Sequence, residues 1–197
     1  MPRMPCCSAV AHSPRRGFSL PELLVVLLII ALLAAMAGPS WTRTVSAYRL
    51  ALARDALLRS LALTRSEAIK RNTRVVMCRS RTALACETLS GWQSGWVIFQ
   101  DSNNDAQLDA GEAIIYRQAA LPDGLVLSTN GPFTNFISYS AVGSARNPSG
   151  SPQMGTFTLC EKAVSNGMAQ DFLIGSVGRP RLAQRPLLAC PEHGASG

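Results

Sequence analysis

Apolar residues form one unbroken run near the start of the chain, from Leu23 to Ala37. With its flanking residues, the segment from Phe18 to Gly38 is about 20 residues long. A helix rises about 1.5 Å per residue, so this segment matches the ~30 Å hydrocarbon core of a bilayer. The pattern predicts a transmembrane helix over residues 18–38.

A second helical pattern follows Gly38-Pro39. The residue before a proline disfavours helical dihedral angles, so a kink or short break is predicted there. From Ser40 to about Arg71 there is no Gly or Pro, and apolar residues recur near helical spacing with arginines between them. This predicts that residues 39–72 form an amphipathic helix whose apolar stripe packs on a folded head.

Beyond Asn72 the pattern changes to short β-forming runs separated by turn residues. The predicted strands are Arg74–Arg79, Gly95–Gln100, Ala113–Arg117, Leu125–Ser128, Asn135–Ser140, Thr156–Cys160, Phe172–Ser176 and Arg181–Ala183. Runs this close leave no room for crossover helices, so they must pair mainly antiparallel.

The predicted fold class is therefore α+β, with a long N-terminal helix, half transmembrane and half amphipathic, on a mainly antiparallel β-sheet head. The head occupies residues 73–190 and is followed by a tail at 191–197. The loops Ala141–Gly155 and Glu161–Gln170 are predicted to be the most mobile parts of the head.

The charge distribution orients the predicted membrane helix. The chain has 19 Lys+Arg against 12 Asp+Glu, a formal net charge of +7, and Arg3, Arg15 and Arg16 precede Phe18. Positive charge flanking a membrane segment stays on the cytoplasmic side, so the head is predicted to cross to the other side. The arginine surplus of the remainder permits an anionic partner without requiring one.

Histidine and cysteine usage argues against catalysis and metal binding. His12 and His193 lie near the ends of the sequence, which leaves hydrolytic triads without a base, and no Cys-x-x-Cys pair occurs. We expect no enzymatic activity and no cofactor.

Four cysteines follow the apolar run, which predicts two disulfides if the head lies outside the cytoplasm. Three pairings are possible, and we favour Cys78 with Cys86 and Cys160 with Cys190.

Glu22 is costly at the edge of an apolar helix. A carboxylate at the bilayer centre is penalised by about 2.5–3.5 kcal/mol, and less near an end. Cleavage between Gly17 and Phe18 would create an α-amino group one helical turn from Glu22, and the two charges can offset each other within a subunit or between neighbours. Pro21 would then lie in the first helical turn, where its missing N–H has no cost.

The segment Gly17-Phe18-Ser19-Leu20-Pro21-Glu22-Leu23-Leu24-Val25-Val26 resembles the N-terminal signature of type IV pilins and type II secretion pseudopilins. The resemblance implies that a prepilin peptidase cuts after Gly17, removes residues 1–17 as a cytoplasmic leader and methylates Phe18. It also implies that Glu22 is the assembly carboxylate. The apolar helix then serves as anchor in the bacterial inner membrane and as the contact with other pilins.

The head is similar to the FimT/GspH group of minor pilins and pseudopilins. The residues that carry this resemblance are Arg65 to Asn72, Val75 to Cys78, Gly95 to Phe99, the acidic loop through Gly111-Glu112, and Ser176 to Arg179. It implies a periplasmic head and assembly into either a type IV pilus or a type II secretion pseudopilus.

Two other interpretations stay open. Ala35-Met36-Ala37 looks like a signal-peptidase site, whose cleavage would release a secreted β domain. A plain single-span anchor would explain all but Gly17 and Glu22.

The element Gly178-Arg179-Pro180-Arg181 is the strongest candidate for recognition. In FimT-like minor pilins, a Gly-Arg-x-Arg element is associated with DNA binding in natural transformation. By analogy, Arg179 and Arg181, joined by Arg185, would contact backbone phosphates without reading sequence. The alternative is that they are solvated turn arginines, with Arg179 paired to a carboxylate.

Two weaker signals have simpler explanations. A calcium-loop spacing places oxygen ligands at Asp101, Asn103, Asp105, Asp109 and Glu112. The sixth position, however, is Ala106 instead of glycine, and the same residues make ordinary Asx-turns. Trp92, Trp96 and Phe99 resemble a base-stacking platform, but we expect them in the core.

Overall fold

The computed structural model describes residues 18–162 and 167–190, with the backbone alone described for residues 35–43. The chain divides into two compact units, one ending at Val45 and the other beginning at Ser46.

The long helix α1 extends over Leu20–Arg71. In the first unit, the carbonyl of Ser19 accepts hydrogen bonds from the N–H groups of Glu22 (3.1 Å) and Leu23 (3.2 Å), which closes the first turn. The helix continues through Gly38 and Pro39, so the backbone has no short break there. The predicted kink at this position stays a prediction.

The C-terminal end of α1 is closed by backbone hydrogen bonds. Asn72 has a left-handed φ of 52°, its N–H donates to Ile69, and the Thr73 N–H donates to Ala68. This is the Schellman arrangement, which satisfies the last carbonyls of a helix and redirects the chain. Asparagine is one of the few non-glycine residues that tolerate this conformation. The chain therefore leaves α1 directly into the first strand.

The second unit contains eight strands and two short 3₁₀ helices in its described residues. The strands are β1 Arg74–Arg79, β2 Trp96–Asp101, β3 Ile114–Gln118, β4 Leu125–Thr129, β5 Phe136–Tyr139, β6 Gly155–Glu161, β7 Gly167–Ile174 and β8 Pro180–Leu187, and the 3₁₀ helices are Trp92–Ser94 and Gly131–Phe133. They form two four-stranded sheets, sheet A in the order β3-β2-β1-β5 and sheet B in the order β4-β6-β7-β8. Every pairing is antiparallel, as predicted.

The main core joins both sheets to the second half of α1. The buried helix residues Ala53, Leu57, Leu61 and Ala68 are spaced by multiples of about one turn, so they lie along one stripe. This stripe belongs to one cluster with the inward-facing side chains of sheets A and B. The predicted packing of the amphipathic helix on the head is therefore confirmed.

The tryptophans belong to this core, so the base-stacking hypothesis is wrong and the core prediction is confirmed. Trp92 is 1% exposed and Trp96 is fully buried. Each indole N–H is satisfied internally, with Trp92 donating to the Phe133 carbonyl and Trp96 to the Ser60 hydroxyl, both at 2.9 Å. The hydroxyl of Ser60 thus ties α1 to β2.

One loop prediction is wrong in its second half. We expected Glu161–Gln170 to be a loop, but β7 begins at Gly167, and Ala169 and Gln170 are buried. Gln170 pairs with Leu159 of β6 and with β8, and Ala169 pairs with Arg185 of β8. This pairing forms a strand that their own composition does not indicate.

Candidate functional site

The Gly-Arg-Pro-Arg element lies where the β7–β8 hairpin turns. The turn spans Gly175 to Gly178, whose N–H donates to the Gly175 carbonyl at 2.8 Å. β8 is one of the two outer strands of sheet B, and its residues from Arg181 to Pro186 are exposed. Because side chains alternate along a strand, Arg181 and Arg185 lie on the same face of sheet B.

The structure separates the three predicted arginines by their contacts. Arg179 and Arg181 are exposed, and within residues 18–162 and 167–190 neither forms a salt bridge. The Arg185 Nε lies 2.5 Å from Asp171 Oδ2. The ion pair that we considered for Arg179 is therefore made by Arg185.

Asp171 connects three strands of sheet B. Its Oδ1 accepts a hydrogen bond from the Thr158 hydroxyl at 2.7 Å, while its Oδ2 accepts from Arg185. These residues belong to β6, β7 and β8. Arg185 thus helps to hold β8 in place.

Gly178 packs against two other parts of the head. A Cβ at this position would lie 2.7 Å from the Gly143 carbonyl oxygen and 2.7 Å from Tyr139 Cε1. These distances are shorter than van der Waals contact, and Gly178 has a φ of +78°, which side-chain-bearing residues rarely adopt. Glycine is required here for both reasons.

Arg65 and Tyr139 complete this packing, and neither is among the site residues predicted from the sequence. The Arg65 Nε donates to the Gly143 carbonyl at 2.8 Å. Tyr139 is fully buried, its hydroxyl has no hydrogen-bond partner among the described residues, and burial raises the pKa of the phenol well above its usual range, while the nearby Arg65 charge opposes the rise. We define the Gly143–Gly178 junction as Arg65, Tyr139, Gly143 and Gly178.

The acidic loop is organised around Asp101. Asp101 is fully buried at the end of β2, and its carboxylate accepts the N–H groups of Asp105 (3.2 Å) and Ala106 (3.1 Å). Arg74 Nε lies 3.9 Å from Asp101 Oδ2. Burial raises the pKa of Asp101 above its ordinary value, and the nearby Glu112 charge adds to this effect.

The other predicted calcium ligands also bond within the loop. The Asn103 amide donates to Asp105 at 3.0 Å and to Asp109 at 2.8 Å. Glu112 accepts the N–H groups of Ser102 and Asp109. In the described part of the chain, no group of three or more His, Cys, Asp or Glu side chains is placed to hold a metal ion. The loop also contains the Asx-type turns of the simpler interpretation, since Asn103 Oδ1 accepts the Asp105 N–H at 3.3 Å and Asp105 Oδ1 accepts the Gln107 N–H at 2.7 Å.

Both favoured cysteine pairs are bonded. Cys78–Cys86 has a Cα–Cα distance of 5.6 Å and Cys160–Cys190 one of 5.9 Å. The second bond links β6 to the segment that follows β8, across the intervening β7.

In the N-terminal unit, the apolar side chains of α1 are uncovered. The large apolar residues from Leu23 to Leu33 are each between 47% and 63% exposed, and Phe18 is 79% exposed. Glu22 lies in the first turn of α1. Gly17 lies outside the described residues, as does the predicted leader.

Among the described residues, no helix combines the length and the apolar character needed to cross a membrane. The predicted span of residues 18–38 includes four residues, 35–38, whose side chains are not described.

The fold defines a pilin-like protein, with an N-terminal helix whose second half packs on antiparallel sheets. The structure is similar to that of the type IV minor pilin FimU of Pseudomonas aeruginosa, with a TM-score of 0.53 and 18% identity over 72% of this chain and 95% of that one. The minor pseudopilin EpsH of the Vibrio cholerae type 2 secretion system matches with a TM-score of 0.45 and 12% identity, over 71% of this chain and 97% of that one. No match is found among curated proteins.

Two family matches cover most of the chain. Residues 53–178 match the family described as type II transport protein GspH, and residues 12–38 match the prokaryotic N-terminal methylation motif. The chain belongs to the GspH family. It is a minor pilin or pseudopilin, a structural subunit instead of an enzyme, with a motif typical of prepilin peptidase substrates.

Proposed function

We propose that this protein is a minor pilin, anchored in the bacterial inner membrane and assembled into a type IV pilus, whose head binds DNA during natural transformation. Arg179 and Arg181 contact backbone phosphates. The observation that carries this proposal is the contrast between these two arginines, which are exposed without salt bridges in the described part of the chain, and Arg185, which is paired with Asp171.

The anchoring part of the proposal is supported by the N-terminal unit. The uncovered apolar side chains from Leu23 to Leu33 need either lipid or neighbouring helices around them, because exposed apolar area of this extent is unfavourable in water. Arg15 and Arg16 place the N-terminus in the cytoplasm and the head in the periplasm. The prepilin peptidase then cuts after Gly17, and Glu22 directs assembly with other pilins.

DNA binding is supported by charge and position. A guanidinium group is always charged and binds phosphate oxygens through two N–H groups at once. Arg181 is on an outer strand and Arg179 is beside a turn, so both sites are open to a large polymer. Such contacts are independent of base sequence and weaken as salt rises.

The test compares two double variants of the full chain in detergent micelles. Arg179→Ala/Arg181→Ala removes the proposed contacts, and Arg49→Ala/Arg81→Ala removes the same charge from exposed positions elsewhere. Arg81 is a suitable control because it lies away from the proposed site. It follows the C-terminal end of β1, whereas Val75, near the other end of this strand, pairs with Tyr139 beside Gly178.

Gel retardation of duplex DNA is measured over a range of salt concentrations. We expect the first variant to lose most binding and its salt slope to fall by about two, since each lost phosphate contact lowers the slope by about one. Equal losses in both variants would mean that only net charge matters and would remove the assigned site.

A second function is favoured by the description of the matched family, type II transport. In that case the chain is a type II secretion pseudopilin whose head contacts other pseudopilins or cargo, without binding DNA. Deletion of the gene would then block protein secretion and leave DNA uptake unchanged.

A further inference from the structure

We infer that Arg65, on α1, belongs to the same phosphate-binding surface as Arg179 and Arg181 and contacts a further backbone phosphate of bound DNA. This inference rests on the proposed DNA binding.

One carbonyl oxygen relates Arg65 to the Gly-Arg-Pro-Arg element. The Gly143 oxygen accepts the Arg65 Nε hydrogen at 2.8 Å, and the same oxygen is the atom that a Cβ on Gly178 would meet at 2.7 Å. Arg179 is the next residue after Gly178. The helix arginine and the turn arginine therefore lie on either side of a single contact, although 114 positions separate residues 65 and 179.

The contact is built from two turns of the same type. The Gly143 N–H donates to Ser140 at 2.7 Å, and the Gly178 N–H donates to Gly175 at 2.8 Å. Both glycines have positive φ values, +74° and +78°. Each turn is therefore closed by its own hydrogen bond, and the two turns touch at their glycines, which holds the Arg179 backbone in place relative to α1.

Arg65 is held in place while most of its donors stay available. A guanidinium has five N–H donors in a planar fork, and the bond to Gly143 uses the one on Nε. The other four, two on each terminal nitrogen, make no hydrogen bond to any described residue, and one N–H from each of these nitrogens can bind a phosphate in a bidentate manner. The side chain is half-buried, so less conformational entropy is lost when an anion binds than at a freely moving surface arginine.

Arg59 provides a matched control on the same helix. Its Nε also donates to a backbone carbonyl, that of Asp55 at 3.2 Å, and it is exposed. It precedes Arg65 by six positions, which at 3.6 residues per turn places it on a different face of α1.

The experiment measures duplex DNA binding by the full chain in detergent for three variants. We expect Arg65→Gln to bind about tenfold more weakly, the loss typical of one hydrogen-bonded charge, and to lower the salt slope by about one. Arg65→Lys keeps the cation and is expected to retain most of the slope. Arg59→Gln is expected to bind like the unaltered chain.

Two results would overturn the assignment of Arg65. The first is unchanged binding by Arg65→Gln while the Arg179/Arg181 variant loses DNA. The second is an equal loss of binding in Arg65→Gln and Arg65→Lys, accompanied by a lower unfolding temperature. Both variants lose the hydrogen bond from Nε to the Gly143 carbonyl. This pattern would therefore indicate that Arg65 has a structural role alone. If the unaltered chain binds no DNA, the proposed function itself fails, and the inference fails with it.

Discussion

The Arg185 guanidinium is bonded to the Asp171 carboxylate at 2.5 Å, and this ion pair fastens the outer strand β8 to β7. Arg181, four positions earlier on the same face of β8, has no such salt bridge in the described residues. We therefore expect different roles for the two arginines, Arg185 in holding the strand and Arg181 in presenting charge.

Replacing Arg185 should affect stability more than binding. Its side chain is 47% exposed, so Arg185→Ala is expected to lower the free energy of unfolding by at most about 1 kcal/mol. Asp171→Ala should cost about 1–3 kcal/mol, because it also leaves the Thr158 hydroxyl without its acceptor. Urea denaturation followed by near-UV circular dichroism measures both. A loss of DNA binding in Arg185→Ala as large as in Arg181→Ala would contradict this division of roles.

Gly178→Ala tests the junction with α1. The substitution meets a backbone oxygen and an aromatic carbon at 2.7 Å, in addition to the strain of a positive φ. Gly150→Ala is the control, since Gly150 has a φ of +87° but nothing within 4 Å of its Cβ position. In both variants, the positive φ costs about 1–2 kcal/mol of stability. Gly178→Ala should lower the free energy of unfolding by about 1–3 kcal/mol more, because its Cβ is also overpacked. Equal unfolding midpoints would show that the contact between the turns at Gly143 and Gly178 does not contribute to stability.

Asp101 should make stability depend on pH. Burial raises its pKa above the ordinary 3.8, so the folded state holds this proton more tightly than the unfolded state. Its contribution to stability is full below pH 3.8 and is lost as the pH rises through the raised pKa. Asp101→Asn should therefore flatten this decline while lowering stability overall, because the side chain loses one of its two acceptor oxygens for the Asp105 and Ala106 N–H groups. Unfolding free energies measured at several pH values for both proteins check the slope.

Much of the fold follows from local pattern, and the exceptions are long-range. β1 has the predicted bounds Arg74–Arg79, because an apolar run between turn residues is visible in sequence. β8 extends over Pro180–Leu187, well beyond the predicted Arg181–Ala183, since its length is set by pairing with β7. Pairing of this kind depends on tertiary context.

The same limit applies to the candidate site. Arg179 and Arg181 stand out in sequence as a cluster, whereas Arg65 reaches the site through a carbonyl 78 positions away. The sequence has one related feature, a valine followed by a glycine at both 142–143 and 177–178. These pairs are compatible with two turns, but nothing in the sequence indicates that the two turns touch.

The two disulfides should differ in their effect on stability. They close loops with sequence separations of 8 and 30 residues. By loop-closure entropy alone, Cys160→Ser/Cys190→Ser should destabilise the head by about 1 kcal/mol more than Cys78→Ser/Cys86→Ser. Thermal unfolding of the two variants measures the difference, and the opposite order would show that burial of Cys78 matters more than loop length.

The mature N-terminus distinguishes the pilin interpretation from its rivals. Mass spectrometry of protein made in cells with a prepilin peptidase should find N-methylated Phe18 as the first residue. Glu22→Gln keeps the size of the side chain and removes its charge, so we expect normal cleavage with reduced assembly into fibres. A first residue at Gly38 would instead support the released domain, and an uncut chain would support the plain anchor.

The bond between Cys160 and Cys190 also has a consequence for the edge of sheet B. Because Cys190 follows β8, its bond to Cys160 of β6 limits how far the last strand can move from the sheet. Without β8, β7 would be the outer strand, and its unpaired N–H and C=O groups would be a template for aggregation with other chains. Reduction of this bond is therefore expected to favour aggregation through β7.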